Sequence, residues 1–165
     1  MKVRLIAALA VAALVAAGVF VLNVKPLAPD VGFTTLQGER FEIAALRGKV
    51  VLVNFWATTC ATCIAEMPKL VEMHERFAAR GLETIAVAMS YDPAPQVRAY
   101  AERSALPFKV ALDPAGEAAR GFGGVRLTPT TLLIDRRGRI VHRYLGEPDF
   151  DALRALLEDL VAETA

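Results

Sequence analysis

The chain contains two cysteines, and only two residues separate them, as Cys60-Ala61-Thr62-Cys63. They lie between a run of β-branched and aromatic residues and an amphipathic segment, which places them at the junction of a buried strand and a helix. The unpaired N–H groups and the dipole at a helix N-terminus favour an anion, so a thiolate should be stabilised at Cys60. A thiolate attacks disulfides, and Cys63, one turn further along, is placed to resolve the mixed disulfide that forms. The pair therefore predicts thiol–disulfide exchange.

Three other uses of the cysteine pair stay open from the residues alone. A structural disulfide here would close a loop too small to add much stability. A zinc site needs more ligands, and His74 follows Cys63 by 11 residues on the predicted helix, about 16 Å along its axis. That is too far for a Zn–N bond of about 2 Å. Copper binding by two thiolates and His142 is the third alternative, because the sequence does not fix where His142 lies. We expect no metal ion in the site.

A predicted strand–helix–strand unit positions the cysteines. Residues 50–56 form a continuous β-branched and aromatic run, typical of a strand buried on both faces. Apolar residues at steps of three and four predict a helix over residues 63–80, which Gly81 ends. A second buried strand follows at residues 84–89. Two strands joined by one helix in this way are parallel, with a right-handed crossover.

Further elements complete a predicted α/β architecture. A hairpin precedes the strand–helix–strand unit, and an inserted helix, strand and short helix follow it. A second hairpin, closed by a solvated turn at Arg136-Arg137-Gly138, precedes a C-terminal helix that starts at Asp149. The predicted bounds of these elements are 33–36, 40–43, 94–104, 108–112, 115–122, 130–135 and 139–145.

The first 25 residues predict a membrane anchor. Residues 5–22 are uncharged and rich in Leu, Val and Ala, and as a helix they would span about 27 Å, close to the hydrocarbon thickness of a bilayer. Lys2 and Arg4 precede them, and such a short positive segment stays in the cytoplasm, which predicts export of the remainder. A cleaved signal peptide, with a small-residue site at Val15-Ala16-Ala17, is the alternative. We expect a signal anchor at 1–25, a linker at 26–32 and one domain at 33–165.

The composition excludes several classes of protein. Of the 165 residues, 55% are apolar and 22% are charged, and the net charge is +1. This apolar content excludes intrinsic disorder, and a body of about 140 residues supports one compact domain. Because removing residues 1–25 leaves a slightly acidic body, nothing predicts binding to nucleic acid.

Two segments resemble a known family. Residues 51–68, which include both cysteines, resemble the active-site segment of membrane-anchored thioredoxin-like proteins of the TlpA/ResA type. Residues 127–135, which precede a glycine turn, resemble the cis-proline segment of the same family. The resemblance covers about residues 30–163. It implies a thioredoxin-like fold, with a central mixed β-sheet flanked by helices, an N-terminal β-hairpin and an inserted βα element, preceded by one transmembrane helix.

The resemblance also implies roles for individual residues. Cys60 would be the attacking thiol and Cys63 the resolving thiol, with no cofactor beyond the redox-active disulfide between them. Thr128 and Pro129 would form a loop with a cis peptide bond beside the disulfide. There the Thr128 backbone would bind an extended substrate by strand-like pairing. Trp56 would contact substrate as a wall of the active site, the alternative being an ordinary core residue.

The chain departs from the family pattern at two positions. Thioredoxins have an aspartate at the position of Asn54, where a buried carboxylate moves protons to the resolving cysteine, and an amide cannot titrate. Glu66, one turn beyond Cys63, matches a glutamate that this family has near its cysteines. Partial burial should raise its pKa and suit it to act as a general base, whereas a solvated glutamate in the first helical turn is the alternative. Thr59 replaces the tryptophan that usually precedes the first cysteine, which leaves the site more polar and open.

By this resemblance we expect a thiol:disulfide oxidoreductase that acts as a reductase. It would be tethered to the inner (cytoplasmic) membrane with its domain facing the periplasm, or be soluble there if the N-terminal segment is cleaved. The family implies protein clients, namely apocytochromes c or copper-assembly proteins, and a transmembrane thiol-transfer protein as electron donor. A copper-binding chaperone and a thiol oxidase of the same fold are the alternatives. A peroxiredoxin is disfavoured, because Val53 and Ala57 occupy the proline and threonine positions of its Pro-x-x-x-Thr-x-x-Cys pattern.

Overall fold

The computed structural model describes residues 25–163, so nearly all of the predicted membrane anchor lies outside the described residues. Within residues 25–163, no helix is long and apolar enough to cross a bilayer. The strands are β1 (Gly32–Thr35), β2 (Arg40–Glu42), β3 (Val50–Trp56), β4 (Leu82–Ala88), β5 (Lys109–Leu112), β6 (Thr130–Ile134) and β7 (Ile140–Leu145). The helices are α1 (Ala61–Phe77), α2 (Ala94–Arg103), α3 (Glu117–Gly121) and α4 (Phe150–Ala162), with 3-10 turns at Ile43–Leu46 and Ala78–Arg80.

The described strands form one mixed sheet in the order β2-β1-β5-β4-β3-β6-β7. Strand β3 is parallel to β4 on one side and antiparallel to β6 on the other. Because Phe55 pairs with Thr130, the carboxyl end of β3 and the start of β6 lie at the same edge of the sheet. The predicted order of elements is confirmed, and that edge carries both the cysteine pair and the Thr128-Pro129 loop.

Each face of the sheet has its own apolar core. Side chains of β3 alternate between the two faces, as the pleat requires: Leu52 and Trp56 pack with α1, α2 and α4, and Val53 and Phe55 pack with α3. All seven residues of β3 are buried, as its continuous apolar run predicts. Asn54 lies between Leu52 and Trp56 in this alternation, so its amide faces helix α1.

The segment predicted as a linker, residues 26–32, is part of the domain. Leu27 forms an isolated β-bridge with Arg139. The N–H of Ala28 donates to the carbonyl of Gly138 at 2.8 Å, and the N–H of Ile140 donates to the carbonyl of Pro26 at 2.8 Å. The chain is extended there, as expected next to proline, but its backbone groups pair with the turn between β6 and β7. The folded domain therefore includes residues that the sequence assigns to a spacer.

Arg136 is a structural residue rather than part of a solvated turn. Its guanidinium donates to the carbonyls of Gly48 at 2.6 Å, Arg80 at 3.1 Å and Val161 at 3.0 Å. These carbonyls lie just before β3, at the end of the 3-10 turn after α1, and in the last turn of α4. One side chain thus joins three elements at the ends of the strands that lie away from the cysteines.

Candidate active site

The two cysteines form a disulfide at the N-terminus of α1. Their Cα atoms are 5.2 Å apart. Cys60 is the N-cap of the helix, and its Sγ accepts a hydrogen bond from the backbone N–H of Cys63 at 3.2 Å. Cys60 is partly exposed, whereas Cys63 is completely buried. Solvent and a protein client can therefore reach Cys60 but not Cys63, which is the arrangement that an attacking and a resolving cysteine need.

The loop that delivers Cys60 is held by a buried carboxylate. Oδ2 of Asp92 accepts the backbone N–H of Thr58 at 2.6 Å, and Oδ1 accepts the Thr58 hydroxyl at 2.6 Å. Asp92 follows β4 and is 7% exposed, so the end of β4 fixes the chain two residues before Cys60. This role could not be predicted from the sequence, because nothing local to Asp92 indicates a contact with a residue 34 positions away.

Glu66 is fully buried, at 0% exposure, so the alternative of a solvated glutamate is wrong. Its Oε1 accepts a hydrogen bond from Nδ2 of Asn54 at 2.9 Å, and the same amide donates to Oγ1 of Thr131 at 2.9 Å. Burial raises the pKa of Glu66 from 4.5 to about 7, while the Asn54 hydrogen bond and Lys69 lower it and Glu147 raises it further. Since burial dominates, the carboxyl changes its protonation state near neutral pH.

The hydrogen bonds of Asn54 determine which oxygen of Glu66 carries the proton. Both Nδ2 hydrogens of Asn54 are donated, so Oε1 of Glu66 acts as an acceptor. Oε2 is buried and has no hydrogen-bond partner within residues 25–163. The proton of neutral Glu66 therefore belongs on Oε2. Because Glu66 follows Cys63 by three residues on one helix, the two side chains lie on the same helical face.

The loop before β6 contains the predicted cis peptide bond, between Thr128 and Pro129. The carbonyl of Pro129 accepts the N–H of Gly146 at 2.9 Å, which ties the loop to the end of β7. The Tyr91 hydroxyl lies 3.4 Å from Oγ1 of Thr128. No backbone hydrogen bond of Thr128 is found within the described part of the chain. Its N–H and C=O are therefore available for strand-like pairing with a substrate.

Exposed apolar side chains surround this loop. Tyr91 is 59% exposed, Leu127 61% and Leu145 64%. Leu127 immediately precedes Thr128, and Leu145 is paired with the first residue of β6. Large apolar side chains grouped around a loop with free backbone groups are typical of a surface that binds another chain. No sequence pattern indicates this group, because its members come from three separate parts of the chain.

The prediction that Trp56 contacts substrate is not supported by its position. The side chain is 0% exposed, and its ring packs on Tyr100 with centroids 5.2 Å apart. Trp56 belongs to the core beneath the active site, since it is the last residue of a strand buried on both faces.

His74 lies on α1, about three turns beyond Cys63, and His142 lies on β7. Nδ1 of His74 is 3.1 Å from Oγ1 of Thr84, and the ring of His142 packs on Tyr144. Among residues 25–163, no three Cys, His, Asp or Glu side chains lie close enough together to hold a metal ion.

Comparisons with known proteins agree with this geometry. The model of the Redoxin family matches residues 23–157. The chain belongs to the Redoxin family. Within this family the chain is similar to the thiol-disulfide oxidoreductase ResA of Bacillus thuringiensis (strain Al Hakam), with 36% identity over 134 residues that cover 81% of this chain and 76% of the relative. The resemblance to ResA-type proteins is therefore confirmed.

Solved structures show the same fold. A thiol:disulfide interchange protein of the thioredoxin family from Chlorobium tepidum matches with a TM-score of 0.76 and 26% identity, covering 84% of this chain and 98% of that one. A secreted thiol-disulfide isomerase from Corynebacterium glutamicum matches with a TM-score of 0.76 and 25% identity, covering 82% and 86%. This Redoxin has the thioredoxin-like fold, and with its Cys60–Cys63 disulfide it is a thiol-disulfide oxidoreductase.

The contact between Asp92 and Thr58 gives a first test of how this Redoxin positions its cysteines. Asp92→Ala removes both hydrogen bonds to Thr58, which should lower the free energy of unfolding by about 1–3 kcal/mol and slow disulfide exchange several-fold. Asp113→Ala is the matched control, because Asp113 is also buried and accepts two backbone N–H groups of α3. Denaturant unfolding and the rate with a model disulfide are measured for both. Equal losses of exchange rate in the two variants would contradict a specific role for Asp92.

Proposed function

We propose that this oxidoreductase works as a disulfide reductase on exported proteins. The observation that carries the exchange chemistry is the asymmetry of the cysteine pair, and the reducing direction rests on the resemblance to the TlpA/ResA type. Cys60 is partly exposed at a helix N-terminus, whereas Cys63 is buried. One helical turn after Cys63 lies Glu66, whose carboxyl has a pKa of about 7. This arrangement lets a client bind at one sulfur while the second thiol loses its proton inside the protein.

The reaction transfers two electrons from the reduced enzyme to the client. The Cys60 thiolate attacks one sulfur of the client disulfide, the client S–S bond breaks, and the departing client thiolate takes up a proton. Cys63 then gives its proton to Oε2 of Glu66 and attacks the Cys60 sulfur. The mixed disulfide breaks, the Cys60–Cys63 bond forms, and the second client thiolate is released and protonated. A protein dithiol must afterwards reduce the enzyme, and we assign that role to a transmembrane thiol-transfer protein.

The proposed location and clients rest on the sequence. The uncharged run at residues 5–22 behind Lys2 and Arg4 supports a single-pass anchor in the inner membrane with the domain in the periplasm. The resemblance to the TlpA/ResA type supports clients from cytochrome c maturation or copper-site assembly. In such an oxidising compartment a reductase needs an electron donor in the membrane. The anchor would hold the domain close to that donor.

The reduction potential of the Cys60–Cys63 pair tests the direction of the reaction. The domain is equilibrated with redox buffers of known potential, and the fraction of free thiols is measured by alkylation and mass spectrometry. We expect a potential of about −270 mV or lower, the range of reducing thioredoxins, rather than about −120 mV, which is typical of an oxidase. A potential of about −120 mV would show that the enzyme oxidises its clients.

A further inference from the structure

A cleft beside the disulfide has no assigned role in the exchange reaction. Its volume is about 460 Å³, and its lining includes Thr58, Thr59, Ile64, Gln96, Tyr100 and Arg103. Thr59 immediately precedes Cys60, and Ile64 immediately follows Cys63. The cleft is therefore bounded by residues next to both sulfurs. A client joined to Cys60 would have its neighbouring side chains within reach of this cleft.

Helix α2 supplies the far wall. Gln96, Tyr100 and Arg103 are spaced by four and three residues, so they share one face of the helix. Tyr100 is half-buried because its ring packs on Trp56. The near wall has a small residue, Thr59, where a tryptophan is usual in the family, and this substitution leaves the space open.

The chemistry of the lining indicates what the cleft accepts. Tyr100 and Ile64 provide an apolar floor, and Thr58, Thr59 and Gln96 add uncharged hydrogen-bonding groups at the rim. Arg103 is exposed and forms no ion pair within residues 25–163. No acidic side chain lines the cleft. The carboxylate of Asp92 is buried, and both of its oxygens accept hydrogen bonds from Thr58.

We propose that this cleft is a specificity subsite for an acidic residue of the client, next to the client cysteine. The aliphatic part of a glutamate would pack on Tyr100 and Ile64, and its carboxylate would pair with Arg103. A lysine in the same place would meet a like charge. The inference rests on the proposed reductase function, because the subsite acts only on a chain that reacts with Cys60.

Three model peptides test the subsite. Each contains the same internal disulfide, and the residue beside the attacked cysteine is Glu, Gln or Lys. The reduced wild-type enzyme is expected to reduce the Glu peptide about three- to fivefold faster, in kcat/KM, than the Gln peptide, the size of effect that an exposed ion pair produces. The Lys peptide should be slowest, and 0.5 M salt should remove the differences. Arg103→Gln should abolish the preference, and Arg103→Glu should reverse it.

The matched control is Arg137→Gln. Arg137 is exposed in the turn between β6 and β7, at the opposite edge of the sheet, so this variant changes the net charge equally without touching the cleft. It should keep the preference for the Glu peptide. Equal rates for the three peptides with the wild-type enzyme would overturn the subsite and leave the reductase function intact. A preference that survives Arg103→Gln would also overturn it. Reduction of none of the peptides would overturn the reductase function itself.

Discussion

Replacing Cys63 with serine is expected to leave the enzyme covalently joined to its clients. The partly exposed Cys60 can still attack a client disulfide, but the buried thiol that should break the mixed disulfide is missing. Release then depends on an external thiol, so turnover should fall to background level while mixed disulfides accumulate. Cells that produce the Cys63→Ser protein are quenched with acid and alkylated. Non-reducing gels should then show reducible species of higher mass, and mass spectrometry identifies each client.

Cys60→Ser is the matched control, because it removes the other sulfur of the same pair. It should lose turnover to the same extent but trap nothing, since Cys63 is 0% exposed and a folded client cannot reach it. Equal trapping by the two variants would contradict the assigned order of attack. A Cys63→Ser protein that traps nothing in intact cells would remove the main support for a role in client exchange.

The parts of the molecule that depend on local sequence could be predicted. The continuous apolar run of β3 and the periodicity of α1 placed Cys60 at the helix N-terminus, where the structure has it as N-cap. The spacing of Glu66 from Cys63 placed both on one helical face, and both are buried. These features follow from residues within about two turns of one another, which is the range over which a sequence pattern carries structural information.

The parts that depend on contacts between distant residues could not be predicted. Asp92 binds Thr58 across 34 positions, and Arg136 binds the carbonyl of Gly48 across 88. Neither side chain differs in type from a solvated loop residue, and only the packing of the sheet brings the partners together. For Trp56 the sequence predicts a contact that the structure does not have. An aromatic residue near a reactive cysteine suggests a substrate contact, but Trp56 belongs to a strand that is buried on both faces, and its side chain lies in the core.

Glu66→Gln is expected to remove a pH dependence from the resolution step. In the proposed mechanism the carboxylate is the proton acceptor, and with a pKa of about 7 it becomes available as the pH rises through neutrality. In stopped-flow measurements, the wild-type rate of resolution should increase between pH 6 and 8, and the variant should lack this increase. Below pH 6 the two proteins should differ little, because Glu66 is then already protonated. An unchanged pH–rate profile in Glu66→Gln would show that Cys63 loses its proton by another path.

The same substitution should stabilise the protein at alkaline pH. In the unfolded chain Glu66 ionises at its ordinary pKa of 4.5, whereas burial raises the folded pKa to about 7. The unfolded state therefore releases this proton first, and stability is lost as the pH rises from 4.5 through 7. The difference between the folded and unfolded pKa values corresponds to a loss in the free energy of unfolding on the order of 3 kcal/mol.

Denaturant unfolding at pH 5 and pH 8 measures this effect. In wild type, the oxidised protein should be less stable at pH 8, and Glu66→Gln should remove most of the difference. Glu72→Gln makes the same change of charge at an exposed position of α1 and should leave the difference in place. If Glu66→Gln and Glu72→Gln behaved alike, the carboxyl of Glu66 would be ionised at neutral pH in the folded protein. An ionised Glu66 would be a weaker base for the Cys63 thiol, and any pH dependence of resolution near pH 7 would then have to come from another group.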